Sequence, residues 1–334
     1  MTSLLAAAIE ITDTVLAPQA ATVDATGVIP AGHFAALADA GLYGIACSDQ
    51  AGSAADVAET LVSGCRATGF VWAQHHGVLI AATAAGRRRL VAELAAGRTR
   101  AAVSYAGLAS HGRTLRVRPD GGGYVLSGTA AMVTGWGLTD VLGVWAHDAE
   151  HGEDLMLLVP EPHRVAGIAA RPLDLVAARA SDTVALRWDG VRVGGDAVIG
   201  RRPAARPPST EAAGSRLNGA LSLGTCRAAV RVLAGVDDPE AHAAAAAGRR
   251  ELDRVRAGLD AALGDLDRLY RLRGHAADLA VRLAAATVAA TGSRAVLAGS
   301  DAERLTREAL FCIVCATRPQ IRSAVLARAT GAAL

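Results

Sequence analysis

Arg179-Ala180-Ser181-Asp182-Thr183-Val184-Ala185-Leu186-Arg187-Trp188-Asp189-Gly190-Val191-Arg192-Val193 is the stretch on which the fold turns. Residues 183–188 carry β-branched and aromatic side chains and read as a strand. Asp189-Gly190 then supplies the positive φ that a tight hairpin requires. Toward the N-terminus the same grammar recurs. Residues 102–105, 114–118, 124–127, 141–145 and 155–159 read as strands, and Asp120-Gly121-Gly122-Gly123 reads as another turn. A β domain over residues 99–200 follows.

On both sides of this block the apolar period lengthens to that of helices. Before it, Leu4, Leu5, Ala8, Ile9, Thr12, Val15 and Leu16 share one face of a first helix. A second helix over 31–40 stops at Gly41, a C-terminal capping position. Val57, Leu61 and Cys65 mark a third, and 72–84 and 87–96 read as two more. After it, residues 201–208 are rich in Pro and Arg and read as a linker. Three stripes follow: Leu217, Leu221, Gly224, Ala228 and Val232; Leu252 through Leu266; and Leu272 through Leu283. A helical hairpin from Leu305, with Pro319 opening its second arm, closes the chain. The expected fold class is α+β: an N-terminal helical domain (1–98), a central β-barrel or sandwich (99–200) and a C-terminal antiparallel helical bundle (209–334). Pattern alone adds only that a ligand is expected between the parts.

The chain has 334 residues, is 51% hydrophobic and carries a net charge of +2. That balance lacks the clustered positive charge of a nucleic-acid surface, and 3% aromatics give no base-stacking platform. Every basic residue is Arg, so lysine-based covalent chemistry is excluded. The uncharged run 67–86 has Gln74, His75 and His76 at its centre, and 121–139 is Gly-rich; neither reads as a membrane span. Residues 1–16 carry Glu10 and Asp13 without a basic start and do not read as a secretory signal. Five cysteines fit a reducing compartment, and the expected location is cytoplasmic.

Several stretches resemble the acyl-CoA dehydrogenase family. Leu37-Ala38-Asp39-Ala40-Gly41-Leu42-Tyr43-Gly44-Ile45 followed by Gln50-Ala51-Gly52 is similar to the family's lead into a Gly-rich loop. Gly123-Tyr124-Val125-Leu126-Ser127-Gly128, leading to Met132-Val133-Thr134, resembles the step before the family's Trp-Ile-Thr flavin contact. Arg179-Ala180-Ser181-Asp182-Thr183 running into Trp188-Asp189-Gly190 resembles the Arg-x-Ser-x-Thr strand that closes the family's β domain. Arg307-Glu308-Ala309 resembles the Arg-Asp-Ala that opens its catalytic helix.

The resemblance implies FAD between β domain and bundle, an acyl-CoA or related small substrate, and a homo-oligomer, dimer or tetramer. It places flavin contacts on Val103, Ser104, Tyr105, Met132, Val133 and Thr134. A backbone N–H and a hydroxyl at Val133 and Thr134 would serve flavin N5 and O4. The family's catalytic glutamate falls on Ala316, which cannot accept a proton. Its alternative base position falls on Ser215 beside Arg216, with Glu211 one turn away. The family's flavin-contacting Thr falls on Ala106, its Gly-Ser-Asp loop on Ser110-His111-Gly112-Arg113, and its Trp on Met132. The segment expected to carry a pyrophosphate-binding Arg is interrupted by Gly235-Val236-Asp237-Asp238-Pro239. Thr291-Gly292-Ser293-Arg294 stands where a Gln-x-x-Gly-Gly segment is expected; Arg294 and Arg227 are candidate replacement donors. Three alternatives stay open: a flavin monooxygenase or oxidase on this fold, an inactive subunit paired with an active homologue, and a small-molecule or acyl-carrier binding protein.

Other constellations have both a functional and a plain reading. His75-His76 could act as base or substrate ligand, or be ordinary helix residues. His147-Asp148-Ala149-Glu150-His151 has metal-ligand residue types but reads better as a solvated hairpin loop, so no metal is expected. Cys312 and Cys315 have redox spacing but lie in an apolar helix. Glu308 is the carboxylate nearest the lost catalytic position, but reads better as half of a structural ion pair.

Overall fold

A computed structural model describes residues 3–108, 112–204 and 211–331. The N-terminal part opens with α1 (Leu4–Ile11), a π-helical turn (Thr12–Leu16) and α2 (Ala17–Thr26), forming one continuous helix. It runs on past residue 16 because the wider π turn just before Pro18 accommodates a residue with no N–H to donate. Gly27, at φ 69°, ends the helix. By length and composition alone this run could cross a bilayer, but Ala8, Leu16 and Val23 are buried in the N-terminal core. Helices α3 (Ala31–Asp39), α4 (Ala54–Gly64), α5 (Arg66–Ala84) and α6 (Arg88–Ala95) complete this part.

The middle forms one sheet: β1 (Ala101–Ser104), β2 (Leu115–Asp120), β3 (Gly123–Val133), β4 (Val141–Asp148), β5 (Glu153–Pro160), β6 (Ile168–Pro172), β7 (Val184–Gly194) and β8 (Val198–Pro203). The order is β6-β7-β3-β2-β4-β5-β8, with β1 parallel to the first half of β4. Leu115, Leu126, Val144, Leu157, Leu186 and Trp188, from five strands, share a single core, so the sheet curls onto itself. Bulges in β3, β7 and β8 give it that curvature. Opposite the β7 bulge Gly128 has φ 127° and packs so tightly on the Thr114 carbonyl that no Cβ fits.

Two strands escape the sequence pattern. The side chains of β6 are mostly exposed, and β8 carries Arg201-Arg202-Pro203, which had read as linker. Both are edge strands, where Arg and a terminal Pro are tolerated because one side of the ladder is unpaired. Residues 205–208 of that expected linker lie outside the described residues, as do Ser110 and His111.

The bundle contains α7 (Ala212–Ala234), α8 (Pro239–Ala261), α9 (Leu266–Thr291), α10 (Asp301–Val314) and α11 (Pro319–Thr330). Leu252, Val255 and Leu259 of α8 face its core, but the expected stripe stops there. Asp265 caps α9 by accepting from the Arg268 N–H at 2.9 Å, and Leu263 in the connecting turn is exposed. Gly224 lets α7 approach α4: a Cβ there would lie 2.6 Å from Val62 Cγ1 and 2.8 Å from the Glu59 carbonyl. The sequence-expected three-part layout is the observed one.

Candidate functional site

A cleft of about 410 Å³ opens between the β domain and the bundle. One wall is the end of β1 and the turn after it, with Tyr105, Leu108, Gly112 and Arg113. The other is the α10–α11 connection, with Thr317, Arg318 and Pro319. Glu211, at the start of α7, and Asp154 also line it. The volume falls within the ~300–1,000 Å³ usual for small-molecule sites.

The β-domain wall is built from stacked planes. Tyr105 stacks on Trp145 with centroids 6.1 Å apart, and the Arg202 guanidinium lies 3.7 Å from the Trp145 ring centroid. Asp154 is buried among cations and imidazole: His147 Nδ1 lies at 3.1 Å, and Arg113 Nε and Arg202 Nε each lie at 3.6 Å. That carboxylate is therefore committed to holding the wall together.

Ala316, where the resemblance places the family glutamate, immediately precedes the cleft-lining Thr317. The φ of Ala316 is 46°, a left-handed backbone uncommon outside glycine. Arg273 of α9 donates to the Ala316 carbonyl at 3.0 Å and to the Cys315 carbonyl at 3.1 Å. Burial pushes the Arg273 guanidinium down to about 10. α9 reaches this turn because Gly274 lets it close on α11, where a Cβ would sit 2.6 Å from Ala324 Cβ. Glu211 accepts from the Tyr270 hydroxyl at 2.6 Å and lies 3.8 Å from Arg318 Nε. Tyr270 is pushed up to about 12, first by burial and then by this bond, so its hydroxyl stays a donor at neutral pH.

The sequence-expected flavin residues are only partly gathered here. Tyr105 lines the cleft and is 41% exposed. Met132, at φ 58°, is the penultimate residue of β3, with its side chain exposed. Val133 is buried in the sheet core opposite Val184. The Thr134 hydroxyl is buried and joins a chain, 3.0 Å from Thr183 Oγ1, which is 2.8 Å from Ser181 Oγ. Val103 packs against Gly77 of α5, and Ser104 is buried with its hydroxyl unpartnered.

His75 and His76 lie elsewhere, inside the helical part. The Ala101 N–H donates to His75 Nδ1 at 3.1 Å, and both rings pack edge-on against aromatic neighbours, Tyr43 and Trp72. Burial lowers them to about 4 and about 3. Glu308 is buried away from the cleft, accepting from Arg304 Nη1 at 3.0 Å with Arg66 Nε 3.6 Å distant. Arg307 instead bridges parts, donating to Asp24 of α2 and to the Val176 carbonyl. Arg227 donates to Thr60 at 3.0 Å on the α4 side of α7, and Arg294 is exposed. His147 and His151 pair with Asp154 and Asp148. No cluster of three or more metal-ligand residues occurs among the described residues.

Sequence reasoning missed Arg273 and Tyr270 as site residues. A signal existed for the first. Leu269, Arg273, Ala276 and Ala280 share the buried face of α9, and an Arg on such a face must have a partner.

A helical part, a curled sheet and an antiparallel bundle, with a cleft where the last two meet, define the acyl-CoA dehydrogenase fold. The chain has that fold. No protein-family model matches it, and no curated protein matches its sequence. It is similar to butyryl-CoA dehydrogenase from Megasphaera elsdenii (TM-score 0.82, 16% identity, covering 99% of this chain and 98% of that one). It is also similar to a glutaryl-CoA dehydrogenase from Mycobacterium smegmatis in complex with FADH2 (TM-score 0.76, 17% identity, 99% and 94% covered). A third similar structure is a nitrososynthase from Micromonospora carbonacea var. africana (TM-score 0.78, 18% identity, 99% and 97% covered).

Proposed function

We propose that the protein is a flavin-dependent oxidoreductase acting on an acyl-CoA or related small acyl substrate. The observation that carries this reading is the cleft between Tyr105 and the α10–α11 turn, in a fold shared with an FADH2-bound dehydrogenase. The residues present fit FAD. Tyr105 offers a planar face, and the Ser104 hydroxyl before it is buried without a partner. Arg113 and Arg318, on opposite walls, are charge-assisted donors suited to phosphate oxygens. Bound FAD would supply a two-electron acceptor. The protein's own part is to hold the acyl group against the ring and to exclude water.

A visible absorption spectrum tests the reading. Protein isolated or incubated with FAD should be yellow and should bleach anaerobically with an acyl-CoA. A colourless protein that cannot be loaded argues for a subunit without catalysis. Ala316→Glu places a carboxylate on the turn that Arg273 holds. It should raise the anaerobic bleaching rate by at least about tenfold, within the ~10²–10⁴ that positioned proton transfer supplies.

A second reading, a flavin monooxygenase or oxidase, is favoured by Ala316 and Ser215, which leave both family base positions without a carboxylate. Bleaching by NADH or external reduced flavin alone, followed by oxygen consumption, would select it. We further propose a cytoplasmic homo-oligomer. Exposed Val296, Leu297, Leu310, Val314 and Leu326 on the bundle support association, and light scattering measures it.

A further inference from the structure

We propose that a small cavity between α2, α5 and α10 binds one structural water molecule. It bridges Arg66 and Glu308 and completes the joint where the helical part, the bundle and the loop before β7 meet. The inference stands apart from whatever the cleft binds.

The cavity has a volume of about 10 Å³. Its polar lining is Asp24 of α2, Cys65 and Arg66 at the start of α5, Arg179 of the loop before β7, and Glu308 of α10. One water needs ~10–15 Å³, so there is room for a single molecule of that size and for no polyatomic ion.

Two buried charges on its wall are incompletely paired. Arg66 is 2% exposed. Its Nη2 donates to the Leu221 carbonyl at 3.1 Å, to Cys312 Sγ at 3.1 Å and to the Thr225 hydroxyl. Its Nε and Nη1 have no hydrogen-bond partner among the described residues. Glu308 is 4% exposed; its Oε1 accepts from Arg304 Nη1 at 3.0 Å, whereas Oε2 accepts from no described residue. Arg66 Nε and Glu308 Oε2 stand 3.6 Å apart. That is beyond hydrogen-bond reach, and it is a separation that one water spans by bonding to both groups. The other polar residues are engaged elsewhere. Asp24 accepts from Arg307, Cys65 Sγ accepts from the Thr68 hydroxyl at 3.3 Å, and Arg179 is exposed.

The chemistry of the wall selects the ligand. A guanidinium offers only donors and a carboxylate only lone pairs; water accepts from the first and donates to the second. A halide would satisfy Arg66 but face the Glu308 carboxylate, and a metal ion would face the guanidinium. Cys65, Arg66 and Ala67 are also the cap and opening residues of α5, and Cys65 makes no side-chain cap to that turn. The leading N–H groups of a helix have no partner within it, so the ~3 hydrogen bonds usual for a buried water are within supply.

A high-resolution crystal structure tests the proposal, with a second crystal soaked in bromide. Wild type should show one ordered solvent peak at ~2.7–3.2 Å from Glu308 Oε2 and from Nε or Nη1 of Arg66, without anomalous signal after the soak. In solution, a protein labelled at its alanine methyls should give a water cross-relaxation signal at Ala67 or Ala180, both on the cavity wall. Glu308→Gln keeps an oxygen acceptor and should keep peak and signal; Glu308→Leu should lose both. Arg66 and Glu308 closing into a direct hydrogen bond with no peak overturns the proposal. So does a bromide signal at the peak, which makes the site an anion site, or a peak that survives Glu308→Leu. The wild-type crystal and the Glu308→Gln variant decide the matter even where the leucine variant fails to fold.

Discussion

At position 316 the backbone does something its side chain does not call for. Ala316 holds φ 46°, and two guanidinium hydrogen bonds from Arg273 fix the carbonyls on either side of its N–H. A left-handed alanine costs roughly 1–2 kcal/mol relative to a right-handed one. The clamp sustains that conformation, so the turn keeps its shape although no reactive side chain stands on it. Ala316→Gly should relieve the strain and raise unfolding free energy by about 1 kcal/mol, read as a higher urea midpoint at unchanged slope. A lower midpoint would mean that the Ala316 methyl contributes more packing than the backbone loses.

Helix α5 makes a prediction at its own scale. It buries His75 and His76, whose titration is lowered to about 4 and about 3 against 6.5 in an unfolded chain. The unfolded state therefore binds more protons over that window, and stability rises with pH across it. The contribution is complete above pH 6.5 and is lost as pH falls toward 4 and 3. By pH 5 each imidazole should remove roughly 2 kcal/mol, measured by urea unfolding at pH 7 and pH 5. His76→Leu should flatten the slope; an unchanged slope would show that water reaches the ring.

Elements also divide what could be read in advance from what could not. Strands β2, β3 and β7 announce themselves by alternation and turn residues, because each has one face on a shared core, whereas β4 and β5 read as unbroken apolar runs because both faces are buried. β6 and β8 do not, because edge positions place few demands on side chains. The α8–α9 break was hidden in a leucine stripe that only the Asp265 cap interrupts. For the site, Tyr105, one residue past β1, lines the cleft, whereas Val103 and Val133 pack into the cores. The pairing of Tyr270 with Glu211, 59 residues apart, belongs to bundle packing and leaves no local trace.

For the whole molecule, the cleft depends on how the parts are held together. Arg307 ties the bundle to α2 and to the loop before β7. Arg256 of α8 makes a bidentate pair with buried Glu59 of α4, and Gly224 allows α7 to meet the same helix. Gly224→Val should therefore wedge the helical part from the bundle and cost ~3 kcal/mol, since overpacking of this kind costs ~1–3 kcal/mol and β-branching adds to it. Loss of flavin binding together with stability would show that the cleft walls are set by this contact. The two margins of the sheet carry one more consequence. β6 ends in Arg171-Pro172 and β8 in Arg202-Pro203. A proline offers no amide to an arriving strand, and a guanidinium resists being pressed against another copy of itself. Both margins are thereby poor templates for an arriving strand, which guards the sheet against seeding fibres with its neighbours in a crowded solution.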